Sequence, residues 1–148
     1  MKPFFNASNL ELLCDVAQSW VGAPFHPNGR TRDGVSCQMF CCELYRETGF
    51  LPQEFVCQAG PMDWGNANTS SLIEKFIGSE VADKFEIVES NALPGDLLGF
   101  TVGGCLQHLG VKLEDEFIHV LKHRGVILSR FDDASYLKRL CRIWRPVA

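Results

Sequence analysis

Cys37, His108 and His119 are the side chains whose types and order could do chemistry. Cys37 lies in Gly34-Val35-Ser36-Cys37-Gln38-Met39-Phe40, where a glycine turn gives way to an amphipathic helical pattern. A cysteine at a helix N-terminus feels the positive end of the helix dipole and unpaired backbone N–H groups, both of which favour thiolate over thiol. The sequence therefore predicts a depressed thiol pKa at Cys37. His108 and His119 follow on two separate strand-like runs. One cysteine and then two histidines supply a nucleophile, a base and a group that orients the base, which are the parts of thiol catalysis. The same three side chains could bind zinc, but thiol chemistry accounts for more of the surrounding sequence. Cys41 and Cys42 fall a turn inside the same helix, where the dipole effect has faded, and read as packing residues.

The elements that must position these residues are legible as periodicities. Ser8-Asn9-Leu10-Glu11 reads as a capping box, after which Leu10, Leu13, Cys14, Ala17, Trp20 and Val21 recur at helical spacing up to Gly22. Residues 23–34 hold two prolines, two glycines, Asn28 and Asp33, and are expected to form a loop. The helix that starts at Cys37 should run to about Thr48, with Gly49 ending it. Another capped helix is expected from Ser71 through Phe76, Ile77 and Val81 towards Phe85. Beyond Asn91 the pattern changes to short runs with strand periodicity: Leu97 to Val102, His108 to Leu113, Glu116 to Leu121 and Gly125 to Phe131. A short helix from about Asp133 to Leu140 and a last strand, Arg142 to Arg145, close the chain. Helices first and a meandering antiparallel sheet later make the expected class α+β, with the Cys37 helix packed on the sheet so that its start meets the strand histidines.

Composition sets the outer limits. The chain has 148 residues, 46% hydrophobic and 22% charged, enough to bury a core in one compact domain spanning residues 1–148. A net charge of -4 with scattered basic residues gives no electrostatic case for nucleic acid. No apolar run approaches the length of a membrane span. Seven cysteines are an odd number, Cys41 and Cys42 are adjacent, and neither pairing nor zinc-type spacing is evident. Cys14, Cys41 and Cys141 sit at apolar positions of helical or strand patterns, where a reduced cysteine behaves as a small hydrophobe.

Five motifs in order then point to a family. Trp20-Val21-Gly22-Ala23-Pro24-Phe25, Gly34-Val35-Ser36-Cys37, Leu93-Pro94-Gly95-Asp96-Leu97-Leu98, His108-Leu109-Gly110-Val111 and Phe117-Ile118-His119 resemble the signature of the NlpC-type cell-wall cysteine peptidases. Each element alone is weak; their order and spacing over residues 17 to 130 are specific. The resemblance implies a papain-like α+β fold and hydrolysis of amide bonds in peptidoglycan stem peptides, typically after D-γ-glutamyl and before a diamino acid. By position it makes Cys37 the nucleophile, His108 the general base and acid, and His119 the polar residue that holds the His108 ring. It implies no metal or organic cofactor.

The chain also departs from that signature. The family usually has Asp before its cysteine and Ser after it, where this chain has Ser36 and Gln38. Many members carry tyrosine where this chain has Phe25, and the adjacent His26 is a candidate substitute donor. Ser36, Gln38, Phe25 and His26, with Gln107 beside His108, are therefore expected to shape the substrate site. His123 lies four residues beyond His119 on the same predicted face but between Lys122 and Arg124, which looks solvated. Asp96 reads as a structural acceptor of backbone N–H groups in its turn. The sequence starts without an export leader, which leads to the expectation of a protein made in a cytosol-like compartment. A short version of this kind resembles peptidases associated with phage tails and gene-transfer particles, and a cytosolic enzyme trimming recycled wall peptides is the other setting. A non-catalytic wall-binding or tail module and a thioester-forming acyltransferase are the competing readings.

Overall fold

The computed structural model describes residues 2–55 and 81–148. Helix α1 spans Leu10–Trp20 and buries Leu13, Ala17 and Trp20, the positions that recur on one helical face. The capping box expected from Ser8 does not form. Asn9 is the N-cap, and the polar side chains before the helix bond one another instead: Ser8 donates to Asn6 Oδ1 and the Asn6 N–H donates to Asn9 Oδ1 at 2.8 Å. Short polar side chains compete for nearby backbone groups, and here a local turn takes them.

Residues 23–34 are not all loop. Arg30–Thr31 (β1) and Gly34–Val35 (β2) form a small antiparallel hairpin, too short and too rich in turn residues to show a strand period. Its tip is clamped: the Arg32 guanidinium lies 4.2 Å from the centre of the Trp20 ring and 3.1 Å from Glu47 Oε1, which also accepts from Trp20 Nε1 at 2.6 Å. Helix α2, Cys37–Glu47, leads away from this hairpin and ends at Thr48, followed by Gly49 at φ +85°. The left-handed conformation there suits glycine and stops the helix, as expected.

The main sheet has six antiparallel strands: β3 (Phe85–Ile87), β4 (Leu97–Val102), β5 (Cys105–Lys112), β6 (Glu116–Leu121), β7 (Gly125–Arg130) and β8 (Leu140–Pro146). Their spatial order is β3-β8-β4-β5-β6-β7. Helix α3, Ala134–Leu137, joins β7 to β8 and is shorter than expected, because Leu140 already belongs to the last strand. The helix expected from Ser71 falls, up to residue 80, outside the described residues. Phe85 does not end it but opens β3 after a single 3₁₀ turn, Ala82–Lys84. Among the described residues no helix is long and apolar enough to cross a membrane.

Alternation along the strands makes two unlike faces. Leu97, Leu109, Val111, Ile118 and Val120 join Leu13, Ala17, Trp20, Phe40 and Leu44 in the main core under the helices. Leu98, Phe100 and Phe117 face the other way, against Phe131, Tyr136, Leu140 and Ile143. Each of these large side chains contributes about 1.5–3 kcal/mol by leaving water. The architecture is α+β, with α1 and α2 on one side of the sheet.

Candidate active site

Cys37 is the first residue of α2, as its sequence context requires. Ser36 is extended (φ -94°, ψ 166°) and its Oγ accepts from the Met39 N–H at 3.4 Å, capping the helix. The segment before it turns tightly: Ser36 N–H donates to Gly29 O at 3.0 Å and Gly29 N–H to His26 O at 2.9 Å. A Cβ on Gly29 would come within 2.3 Å of Gly34 O, and one on Gly34 within 2.7 Å of His26 Cβ. Both glycines are therefore needed for the approach that sets where α2 begins.

The hydrogen-bond ladder explains what the thiol meets. Lys112 exchanges bonds with the strand β4 side, its N–H donating to Asp96 O at 2.9 Å and its carbonyl accepting from Gly95 N–H at 2.7 Å, whereas Leu113 N–H turns to Glu116 O. Counting back by twos, the Leu109 N–H points to the β6 side. Pairing of β5 with β6 covers only Gly110 to Lys112, so Leu109 has no strand partner there. Its N–H bonds the Cys37 thiol instead, together with the backbone of Gln38 and of Cys37 itself. The thiol thus sits where the β5–β6 ladder opens.

These N–H groups do not prevail in setting the thiol's acidity. Burial pushes the Cys37 pKa up, and the three backbone hydrogen bonds that pull it down are smaller. The depressed pKa expected from the helix terminus is overturned, because the sequence shows the dipole but not the desolvation.

The residue next to Leu109 is His108, whose ring turns to the opposite face. A bulge arises because Phe100 pairs with His108 while Thr101 pairs with Leu106, leaving Gln107 as the extra residue. His108 consequently lies beside Phe100, ring centres 5.8 Å apart, while Leu106 and Leu109 both join the main core. His119 is on β6 opposite Gly110 and is wholly buried. His108 Nε2 and His119 Nδ1 are 2.7 Å apart, and His119 Nε2 is 2.7 Å from Ser129 Oγ on β7. Phe117 and Tyr136 pack on the His119 ring at 4.4 and 5.3 Å between centres. Burial lowers the pKa of His108 to about 4. His119 is lowered to about 3 by burial first and then by His108 and Arg124. Both shifts favour the uncharged rings, and the 2.7 Å contact has room for one hydrogen between the two nitrogens.

The remaining sequence candidates fall at different distances from this pair. Ser36 is spent on the helix cap. Gln38 is buried in the first turn of α2. Phe25 is half-buried and bridges to Val35, next to Ser36. His26 is exposed, and its Nδ1 donates to Pro27 O at 2.9 Å. Gln107 donates to Val102 O at 2.7 Å, folding over the end of the hairpin rather than joining the histidines. His123 lies in the exposed turn between β6 and β7. Asp96 has the structural part expected of it, accepting from the Leu93 N–H at 2.8 Å and forming a two-pronged ion pair with Arg145 at 3.1 and 2.9 Å. Among the described residues no group of three or more His, Cys, Asp or Glu is arranged to hold a metal ion. Sequence reasoning missed Ser129, which is one hydroxyl on an ordinary strand, and the Leu109 N–H, which has no side-chain signature at all.

Comparison with known proteins places this arrangement. The chain is 33% identical over 131 residues to the probable endopeptidase NlpC of Escherichia coli, covering 85% of this chain and 71% of that protein. It is 24% identical over 128 residues to the murein DD-endopeptidase MepS/murein LD-carboxypeptidase of the same species, spanning 57% of that protein's length. Among solved structures, the NlpC/p60 domain of peptidoglycan hydrolase SagA superposes with a TM-score of 0.59 at 17% identity, over 95% of this chain and 99% of that one. A Staphylococcus aureus protein described as similar to a lipoprotein of the NLP/P60 family gives 0.65 at 18% identity, over 99% of this chain and 44% of that one. The two structures share the fold. The sequence profile of the NlpC/P60 family matches residues 22–145, and with the resemblance to NlpC it establishes that the chain belongs to the NlpC/P60 family.

Proposed function

We propose that the protein is a cysteine peptidase that hydrolyses amide bonds in the peptide stems of peptidoglycan. The observation that carries this reading is the 2.7 Å contact between His108 Nε2 and His119 Nδ1, with Cys37, the first residue of α2, tied by its thiol to the backbone of Leu109, the residue that follows His108. The names of the relatives, two of them endopeptidases and one a peptidoglycan hydrolase, supply the substrate class.

In this mechanism His108 Nε2–H donates to His119 Nδ1, which leaves His108 Nδ1 free as a base. The resting forms are a neutral thiol and a neutral imidazole, in keeping with a raised cysteine pKa and a lowered histidine pKa. The proton therefore moves to His108 Nδ1 as Sγ attacks the carbonyl carbon. The backbone N–H of Cys37 stabilises the tetrahedral oxyanion. The imidazolium then gives its proton to the leaving amine as the C–N bond breaks, and a thioester remains on Cys37. Water, deprotonated by His108, attacks the thioester; the thiol leaves with the proton and the carboxylic acid departs.

The reading is tested with defined muropeptides and mass spectrometry of the products. Wild-type protein should yield cleaved stems, and Cys37→Ala should yield none while keeping its circular dichroism and melting temperature. Full turnover by folded Cys37→Ala would remove Cys37 from the mechanism.

A further inference from the structure

His119 has two nitrogens and both are engaged, one by His108 and one by Ser129. Each 2.7 Å contact holds one hydrogen, so the chain His108–His119–Ser129 can be ordered in two ways. In one, His108 Nε2–H donates to His119 Nδ1 and His119 Nε2–H donates to Ser129 Oγ, leaving His108 Nδ1 bare. In the other, Ser129 Oγ–H donates to His119 Nε2 and His119 Nδ1–H donates to His108 Nε2, so that the remaining hydrogen of His108 sits on Nδ1. Only the first lets His108 accept a proton there. The hydroxyl can end the chain in either order, and the peptidase mechanism requires the order in which Ser129 Oγ accepts.

We infer that Ser129 is a positioning residue that accepts the His119 Nε2 hydrogen and thereby fixes the tautomers of both histidines. His119 is wholly buried, so neither ring nitrogen can turn to bulk water for a partner. Without the hydroxyl, the buried Nε2 would be left as an orphan donor or an orphan acceptor. Orphan buried donors are the rarer of the two in proteins. The Ser129→Ala protein is therefore expected to move the hydrogen to His119 Nδ1, reversing the chain. Ser129 reaches this position by register: it pairs with Phe117, two residues from His119 on the neighbouring strand, which puts both side chains on one face.

The choice of tautomer and the effect on turnover both rest on the peptidase reading above, but the tautomer is read without any turnover. The experiment is ¹⁵N nuclear magnetic resonance of histidine-labelled Cys37→Ala protein at pH 7, with and without Ser129→Ala. A His119 signal that changes from Nε2–H to Nδ1–H supports the inference even if no peptide is ever cleaved. An unchanged tautomer overturns it, whatever the activity. In otherwise wild-type protein, Ser129→Ala should lower kcat roughly tenfold, the scale of one lost neutral hydrogen bond, with KM unchanged. Ser129→Thr, which keeps the hydroxyl, should restore the Nε2–H tautomer. Thr failing while Ala retains the wild-type tautomer would mark Ser129 as packing alone and overturn the assignment.

Discussion

Two buried polar arrangements occupy the middle of this sheet, and they are built on opposite principles. Asp96 and Arg145 are opposite charges joined by two hydrogen bonds, with the Leu93 N–H and the Asn91 carbonyl satisfying further positions. Roughly 13 Å away along β5, by strand rise, His108 and His119 are uncharged rings linked end to end and closed by Ser129. Fixed charges with fixed partners hold strands in place and have nothing to pass on. Neutral rings with two nitrogens can take a proton at one end and adjust at the other. The first arrangement is architectural, and the second is suited to chemistry.

That contrast is sharpest if each arrangement fails in its own way. His108→Ala should lower kcat on the order of 10²–10⁴-fold, with a melting temperature close to wild type. Asp96→Ala should do the reverse, costing about 3–5 kcal/mol of stability by stranding the Arg145 charge while the folded fraction keeps its kcat. Urea titration and active-site counting separate the two quantities. A well-folded Asp96→Ala protein with lost kcat would erase the distinction. His119→Ala should lose less activity than His108→Ala, because water can enter and partly replace an orienting group. Equal losses would give His119 a direct part in proton transfer.

The smallest effect concerns pH. Both rings have folded pKa values below the ordinary 6.5, to about 4 and about 3. Well above pH 6.5 neither state binds a proton at these sites and stability does not change with pH through them. Below it the unfolded chain takes up protons that the folded protein refuses, so stability falls as the pH drops from 6.5 towards 4. His119→Gln should show a shallower decline over that window than wild type, read as the change in urea midpoint between pH 7 and pH 4.5. Identical slopes would mean that His119 takes up its proton over the same pH range in the folded and the unfolded protein.

Much of this was legible beforehand, and the gaps have physical causes. β6 begins and ends where alternation and flanking turn residues put it, and α2 begins at Cys37 because Ser36 is a helix cap. β3 was invisible because three residues at a sheet edge, with Ile87 exposed, carry no period. The direction of the Cys37 pKa was misjudged for a different reason. A helix terminus is a local property written in adjacent residues, whereas desolvation depends on everything that later packs around the sulfur. Both histidines could be named from the chain, but the hydroxyl that completes their alignment depends on the register of β6 against β7.

The bulge at Gln107 has a consequence for how the chain can vary by descent. His108 is held in register from the Lys112 end, through the bonds of Lys112 with Gly95 and Asp96, and the extra residue separates it from the hairpin tip at Gly103 and Gly104. Insertions or deletions at that tip would be absorbed on the far side of Gln107. Lineages could then reshape this rim while inheriting the histidine alignment unchanged.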